Sequence, residues 1–172
     1  MVLTTAQLTI LKADILADPV LNAQPNNSDG AFAIAEAYNL TAVPDYWVFR
    51  TSVTQSEYVG TTTPEATTFS WPQYIARSQA ERDGWREMFA DGGFGNPSRP
   101  NVRQGFQDIF SGATAPPVAQ RAHLANVSRR KATRAEKLLI VAGGLGTTAS
   151  PSTMAFEGAL TYQDVLAART LP

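Results

Sequence analysis

A helix-start signal recurs along this chain and limits its fold. A serine or threonine stands three residues ahead of a glutamine, glutamate or aspartate at Thr4–Gln7, Ser70–Gln73, Thr133–Glu136 and Thr161–Asp164. In such a pair each side chain accepts a hydrogen bond from the other residue's backbone N–H, so the first turn of a helix keeps fewer unpaired donors. After the first pair, apolar residues recur at helical spacing, at Leu8, Leu11, Ile15 and Leu16. The chain is therefore predicted to be mainly α.

Capping residues, glycines and prolines set the predicted boundaries of the elements. Helices are expected at about 4–16, 28–39, 70–90, 101–111 and 117–141, with a last short one beginning at Thr161. The stretch 117–141 is either one helix or two pieces, with a kink or restart at the Thr133–Glu136 pair. Residues 43–69 form a predicted insert that holds any β structure, as a short hairpin, an extended arm or a helix–loop segment. Residues 143–172 are rich in Gly, Ser and Thr. The prediction is a helical bundle (body 1–142) with a short extended or β-hairpin insert and a flexible C-terminal arm (143–172).

The amino-acid composition excludes several kinds of functional site and argues against a membrane segment. The chain has 172 residues and no cysteine, which excludes disulfides, cysteine-based zinc sites and a cysteine nucleophile. No apolar run approaches the roughly 20 residues of a membrane helix. The N-terminal segment also lacks the pattern of a signal peptide. We expect a soluble protein, made in the cytoplasm, that does not contact membrane.

Catalytic and metal-binding patterns are weak. His123 is the single histidine, and a G-x-S-x-G nucleophile elbow is absent, so His123 is interpreted as a partly exposed or interface residue. Glu87 and Asp91 lie four residues apart and could meet a metal ion. Arginines are interleaved with them at Arg77, Arg82 and Arg86, which favours an ion-paired, solvated helix face. The prediction is no enzymatic activity and no metal site.

One glycine-rich segment imitates a dinucleotide-binding motif. Gly144–Ala149 fits G-x-G-x-x-A after the apolar run Leu138–Val141, with Asp164 twenty residues beyond Gly144. Only 23 residues follow Ala149, and the apolar run is better explained as the end of the helix that Thr133 begins. No cofactor is predicted.

The bulky aromatic residues are expected in the core, with Tyr46–Phe49 as the exposed exception.

Charge is unevenly distributed. Residues 1–65 hold seven acids and two bases, whereas residues 119–140 hold six bases and one acid. On a helix, Arg130, Arg134 and Lys137 would align, with Arg129 and Lys131 beside them. Such asymmetry indicates charged contact surfaces, although ordinary solvated faces are an equal alternative.

Six segments together resemble small proteins that tailed bacteriophages encode with their head and tail genes. They are LTTAQLTILKADILADP, NNSDGAFAIAEAYN, YIARSQAERDGWREMF, NPSRPNVRQGFQDIFSG, RRKATRAEKL and FEGALTYQDV. They look like head–tail connector (adaptor) proteins, and the resemblance covers most of the chain without a short functional signature. It implies a virion structural protein of the neck: a helical subunit in a ring, commonly of twelve copies, under the portal protein. It further implies tail or stopper proteins as neighbours and double-stranded DNA passing through the channel.

The same resemblance suggests partner-binding residues. A C-terminal arm docking into the portal would use its apolar anchors, Met154, Phe156, Leu160, Tyr162, Val165 and Leu166. The basic stripe of Arg129, Arg130, Arg134 and Lys137 would contact the portal or a neighbouring subunit, with Asp14, Asp18 and Glu36 as acidic complements, in preference to DNA. The insert departs from a plain adaptor, so a tail terminator or other neck completion protein is one alternative. A DNA-binding regulator using residues 121–137 is another.

Overall fold

The computed structural model describes residues 3–90, 92–140 and 143–172. The protein is mostly helical, which confirms the predicted fold class at that level. It divides into two compact units. Unit 1 takes the chain up to Val48 and from Lys131 onward, and unit 2 takes Phe49–Arg130.

The elements follow one another in chain order. They are α1 (Thr5–Ala17), α2 (Pro19–Asn22), α3 (Ser28–Asn39), β1 (Trp47–Phe49), β2 (Val53–Thr54), α4 (Gln55–Gly60), α5 (Trp71–Ile75), α6 (Gln79–Glu87), β3 (Phe94–Gly95), α7 (Pro100–Ile109), α8 (Ala115–Val127), β4 (Arg129–Lys131), α9 (Arg134–Leu138) and α10 (Tyr162–Thr170). β1 and β4 form a two-stranded sheet. β2 and β3 pair antiparallel, with Val53 opposite Gly95 and Thr54 opposite Phe94.

The core of unit 1 lies where α10 packs against α1 and α3. Leu11 and Ile15 of α1, Ile34 of α3 and Val165 of α10 are all buried there. The Asn39 side chain holds the chain just before α10, since its Nδ2 donates to Leu160 O at 2.9 Å and its Oδ1 accepts from Leu160 N at 2.8 Å. Residues distant in sequence thus share one core.

The core of unit 2 is aromatic. Trp85 is buried among other rings, with centroids 5.0 Å from Phe89, 5.8 Å from Phe110 and 5.9 Å from Tyr58. All three pairs meet edge to face, an arrangement that the charge distribution of aromatic rings favours. Tyr58 belongs to α4 and Trp85 to α6, whereas Phe89 follows α6 and Phe110 follows α7.

The predicted helix over 70–90 is two helices. α5 ends at Ile75, and Ser78 starts α6 with a reciprocal cap: Ser78 N–H donates to Glu81 Oε2 at 2.8 Å, and Glu81 N–H donates to Ser78 Oγ at 3.3 Å. Ser70, the predicted cap, makes no side-chain cap bond. Its N–H donates instead to Gln120 Oε1 at 2.6 Å. The Ser78–Glu81 pair has the same capping-box pattern in the sequence as the predicted caps, and the new helix that it begins divides the predicted long helix into two.

The predicted helical stretch 117–141 is two helices, as the alternative of a restart at Thr133 allowed, but a strand that was not predicted lies between them. α8 ends at Val127, where the Ser128 hydroxyl donates to Leu124 O at 2.6 Å. The chain then forms β4, and a helix restarts at α9 with the predicted Thr133–Glu136 box in place. The predicted end at Val141 lies outside the described residues. Residues 43–69 do contain β1 and β2, but they also contain α4, and β3 and β4 lie elsewhere.

The structure differs from the predicted flexible arm over 143–172. Phe156, Leu160, Val165 and Ala168 are buried within unit 1. α10 begins with the predicted Thr161–Asp164 box. The segment packs on its own chain because its apolar residues complete the core that α1 and α3 leave open.

Candidate interaction surfaces

An open pocket of about 720 Å³ lies in unit 1, beside the C-terminal end of α3. We call it the α3 groove, and its apolar lining consists of Ala37, Leu40, Ala42, Val43, Leu138 and Ile140. Leu40 is 67% exposed and Val43 is 91% exposed. A second depression shares Ala37 and Leu40 with the groove and adds Glu36. Exposed apolar side chains grouped at a concave surface are typical of binding sites.

An ion-pair network joins three helices in the wall of the α3 groove. Arg134 of α9 donates from Nη2 to Asp14 Oδ2 at 2.9 Å and from Nη1 to Asp18 Oδ2 at 3.0 Å. Its guanidinium carbon lies 4.6 Å from the ring centroid of Tyr38 in α3, and the Tyr38 hydroxyl donates to Asp14. A guanidinium held by two carboxylates and an aromatic face is fixed in orientation.

The pKa values in this network move in the directions that its contacts require. The backbone N–H of Leu21 and the Arg134 side chain lower the pKa of Asp18. Burial, together with the bond to Asp14, raises the pKa of the Tyr38 hydroxyl. Burial acts to lower the pKa of Arg134, but its bonds to Asp14 and Asp18 outweigh burial and raise it. Arg134 is therefore a structural cation of unit 1.

Lys137 is a different kind of cation in the same lining. Its ammonium lies 5.7 Å from the ring centroid of Tyr46. Among the described residues, no carboxylate lies within ion-pair distance of it. Glu36, exposed in the adjoining depression, likewise has no ion-pair partner in the described part of the chain. The groove region thus offers apolar surface with one available charge of each sign.

The residues of the predicted basic stripe belong to two different elements. Arg129 and Arg130 belong to β4, whereas Arg134 and Lys137 belong to α9. Arg129 pairs with Glu65 at 2.7 Å. Asp14 and Asp18, expected to meet a neighbouring subunit, instead pair with Arg134 of the same chain. The alignment of these cations was predicted from helical geometry over residues 129–137, and residues 129–131 form a strand instead.

The predicted C-terminal anchors are mostly internal. Phe156, Leu160 and Val165 are buried in the core of unit 1, and Leu166 packs against it. Met154 is buried with Val48 and Ala132. The Tyr162 ring stacks on Phe32 at 4.3 Å between centroids. In the structure these side chains pack against residues of their own unit.

Unit 2 has an apolar surface that the sequence prediction missed. Trp71 is 51% exposed and Ile75 is 65% exposed, and they lie four residues apart on α5, hence side by side. We call this pair the α5 knob. The prediction had instead named Tyr46–Phe49 as the exposed segment, but Val48 is fully buried. The signal available in the sequence was an apolar i,i+4 pair beside Pro72 in a helix too short to bury both sides.

Arg82 borders the α5 knob. Its Nη1 donates to Ile75 O at 3.2 Å and its Nη2 to Gln79 Oε1 at 3.0 Å. Both acceptors are uncharged, so they orient the guanidinium without neutralising it. The knob therefore combines two exposed apolar side chains with a positioned positive charge.

The single histidine occupies a packing position. His123 is buried in unit 2, where Nε2–H donates to Tyr58 O at 2.7 Å and Nδ1 lies 3.3 Å from Thr67 Oγ1. Of the candidate metal pair, Asp91 lies outside the described residues, and Glu87 is exposed. Among the residues that the structure describes, no group of three or more His, Asp or Glu side chains is arranged to hold a metal ion.

The glycine-rich segment that imitates a nucleotide motif is a loop in the structure. Gly146 has φ +67°, and a Cβ there would lie 2.1 Å from a ring carbon of Tyr46. Its carbonyl accepts a hydrogen bond from Trp47 N–H at 2.8 Å. Gly146 is thus required for the close approach of this loop to Tyr46, a structural reason for the glycine.

Comparison with protein-family models, with curated proteins and with solved structures finds no match to this chain. No helix in the described ranges combines the length and the apolar character that crossing a membrane requires.

Proposed function

We propose that the protein is a non-enzymatic structural protein of a tailed-bacteriophage virion: a ring-forming head–tail adaptor at the neck that joins portal to tail. The observation that carries the self-assembly is the apolar rim of the α3 groove, where Leu40 and Val43 are largely exposed to water. Side chains of this kind gain stability when a second protein covers them. The choice of a phage neck rests on the resemblance of six sequence segments.

The arrangement of charge supports this proposal over a DNA-binding regulator. Arg129 is paired with Glu65, and Arg134 with Asp14 and Asp18, so these cations are already neutralised within the chain. Affinity for DNA comes mainly from cations that can replace the counterions of phosphates. A protein through which DNA must slide needs few such cations.

The lengths of the strands disfavour the other alternative. The described strands are two or three residues long, whereas a tail terminator would be built on a central sheet.

The test is whether the purified chain assembles through this rim. We expect closed oligomers by light scattering coupled to gel filtration, and rings with an opening wide enough for duplex DNA in negative-stain images. Val43→Glu should weaken association at least about tenfold, since each ~1.4 kcal/mol lost at an interface is a factor of ten.

The matched control is Val118→Glu, which places the same charge at an exposed valine of α8 in unit 2. It should leave assembly unchanged. A chain that stays monomeric at millimolar concentration, or one whose assembly ignores Val43→Glu, would contradict the proposal.

A further inference from the structure

The α3 groove and the α5 knob are apolar surfaces of the described part of the chain, and they differ in form. The α3 groove in unit 1 is concave, with a volume of about 720 Å³. The α5 knob in unit 2 is a pair of exposed side chains, Trp71 and Ile75, on one helical face. Tryptophan is among the residues that most often anchor protein interfaces, and an apolar pocket is what such an anchor fills.

We propose that the α3 groove of one molecule binds the α5 knob of a second copy. This inference rests on the self-assembly proposed above and identifies its two contact surfaces. Trp71 of the second copy enters between Leu40, Val43 and Leu138. The volume of the groove falls in the range of pockets that enclose bulky ligands, roughly 300–1,000 Å³.

Charge favours a second copy as the occupant. Residues 49–130, which form unit 2, carry nine arginines against seven acids, and the rest of the chain carries five bases against eight acids. Opposite net charge on the two contacting units speeds encounter and disfavours contact of like with like. Locally, Arg82 beside the knob and Glu36 beside the groove are both without a carboxylate or cation partner in the described part of the chain. They supply one ion pair at the rim of the contact.

Lys137 supplies a further attraction inside the groove. Its ammonium already lies near the ring of Tyr46. An incoming Trp71 ring gives the ammonium a second aromatic face, and indole is the strongest partner for a cation among the aromatic side chains. The groove thus recognises an aromatic anchor in preference to an aliphatic one.

A contact between two different surfaces has a geometric consequence. Each molecule that uses its groove still presents its knob, so association continues from copy to copy. Such head-to-tail contacts close into a ring when the rotation per copy divides a full turn, and otherwise form a filament. A two-fold dimer through the groove alone would bury the same rim but stop at two copies.

The absence of cysteine makes a direct test possible. Two single-cysteine chains, Val43→Cys and Ile75→Cys, are mixed in equal amounts under mild oxidation, and covalent dimers are followed by non-reducing electrophoresis. Both positions are exposed, so neither change disturbs a core. We expect the mixed disulfide to form at least about tenfold faster than in the control mixture of Val43→Cys with Val118→Cys, a ratio that corresponds to ~1.4 kcal/mol of docking preference.

The alternative outcomes separate the two proposals. Equal rates in the two mixtures, while the wild-type chain still forms closed oligomers, would overturn this contact and leave the proposed function standing. Dominant Val43→Cys homodimers would show a groove-to-groove contact instead. A wild-type chain that remains monomeric would overturn both.

A charge-swap experiment tests the same contact independently. Glu36→Arg and Arg82→Glu should each weaken association, and mixing the two variants should restore it.

Discussion

The imidazole of His123 is packed against α4 with both nitrogens engaged, one by Tyr58 O and one by Thr67 Oγ1. We predict that His123→Ala lowers the free energy of unfolding by about 2–4 kcal/mol. The loss combines a cavity with an unsatisfied Tyr58 carbonyl. Urea unfolding followed by tryptophan fluorescence measures it, because Trp85 is buried in the same core. Val118→Ala, an exposed change on the same helix, should cost less than about 0.5 kcal/mol. Equal stabilities of the two variants would show that His123 has no packing role.

Glu65 gives unit 2 a pH-dependent contribution. The hydrogen bond from Arg129 holds the pKa of Glu65 below its ordinary value of 4.5. The folded protein therefore binds fewer protons at this carboxyl than the unfolded chain does. The stability it contributes is present above pH 4.5 and is lost as the pH falls below that value toward the lowered pKa.

Glu65→Gln should accordingly lower Tm at neutral pH, and its difference from the wild type should shrink as the pH falls below 4.5, because the wild-type carboxyl then takes up a proton and loses its ion pair with Arg129. Thermal unfolding of both proteins across this pH range checks it. Glu87→Gln is the control, since Glu87 is exposed and has no ion pair among the described residues. A Tm difference for Glu65→Gln that persists unchanged at low pH would contradict the assignment.

At the scale of elements, local signals predicted those helices whose ends are set locally. α3 was expected at 28–39 and spans Ser28–Asn39, and α1 and α7 lie within two residues of their predicted bounds. β4 was missed because Arg129–Lys131 form a strand only through pairing with β1, about eighty residues earlier. Strand formation of this kind depends on a distant partner more than on the propensities of the residues themselves.

The helix α10 tests whether the C-terminal segment is part of unit 1. Val165 is fully buried there, whereas Ala167 is exposed on the same helix. Val165→Asp should destabilise unit 1 by about 3–5 kcal/mol, because it buries an unpaired charge. Ala167→Asp should be close to neutral. Circular dichroism during thermal unfolding compares the two, and a wild-type melting curve for Val165→Asp would restore the flexible-arm prediction.

At the scale of the whole molecule, the sequence prediction described a body over residues 1–142 and an arm over 143–172. The structure describes the chain as two compact units, and the chain leaves unit 1 after Val48 and returns to it at Lys131. Of the predicted partner residues, Arg134 and Lys137 do line the α3 groove. The α5 knob was missed because exposure of Trp71 depends on which side of α5 the rest of unit 2 covers, and local sequence does not state that.

The interrupted path of unit 1 has a consequence for synthesis on the ribosome. Unit 2 is one continuous stretch, so all of its residues are available once residue 130 has left the exit tunnel, whereas the core of unit 1 is complete only after α10 has been translated. The apolar faces of α1 and α3 are exposed to chaperones and to misassociation during that interval. Folding of unit 2 shortens the conformational search by which α10 reaches α1 and α3. It ties the ends of the inserted stretch together, with Arg50 N–H donating to Ser128 O at 2.9 Å. The nascent chain thus replaces a loop closure of more than eighty residues by a short one before its last helix arrives.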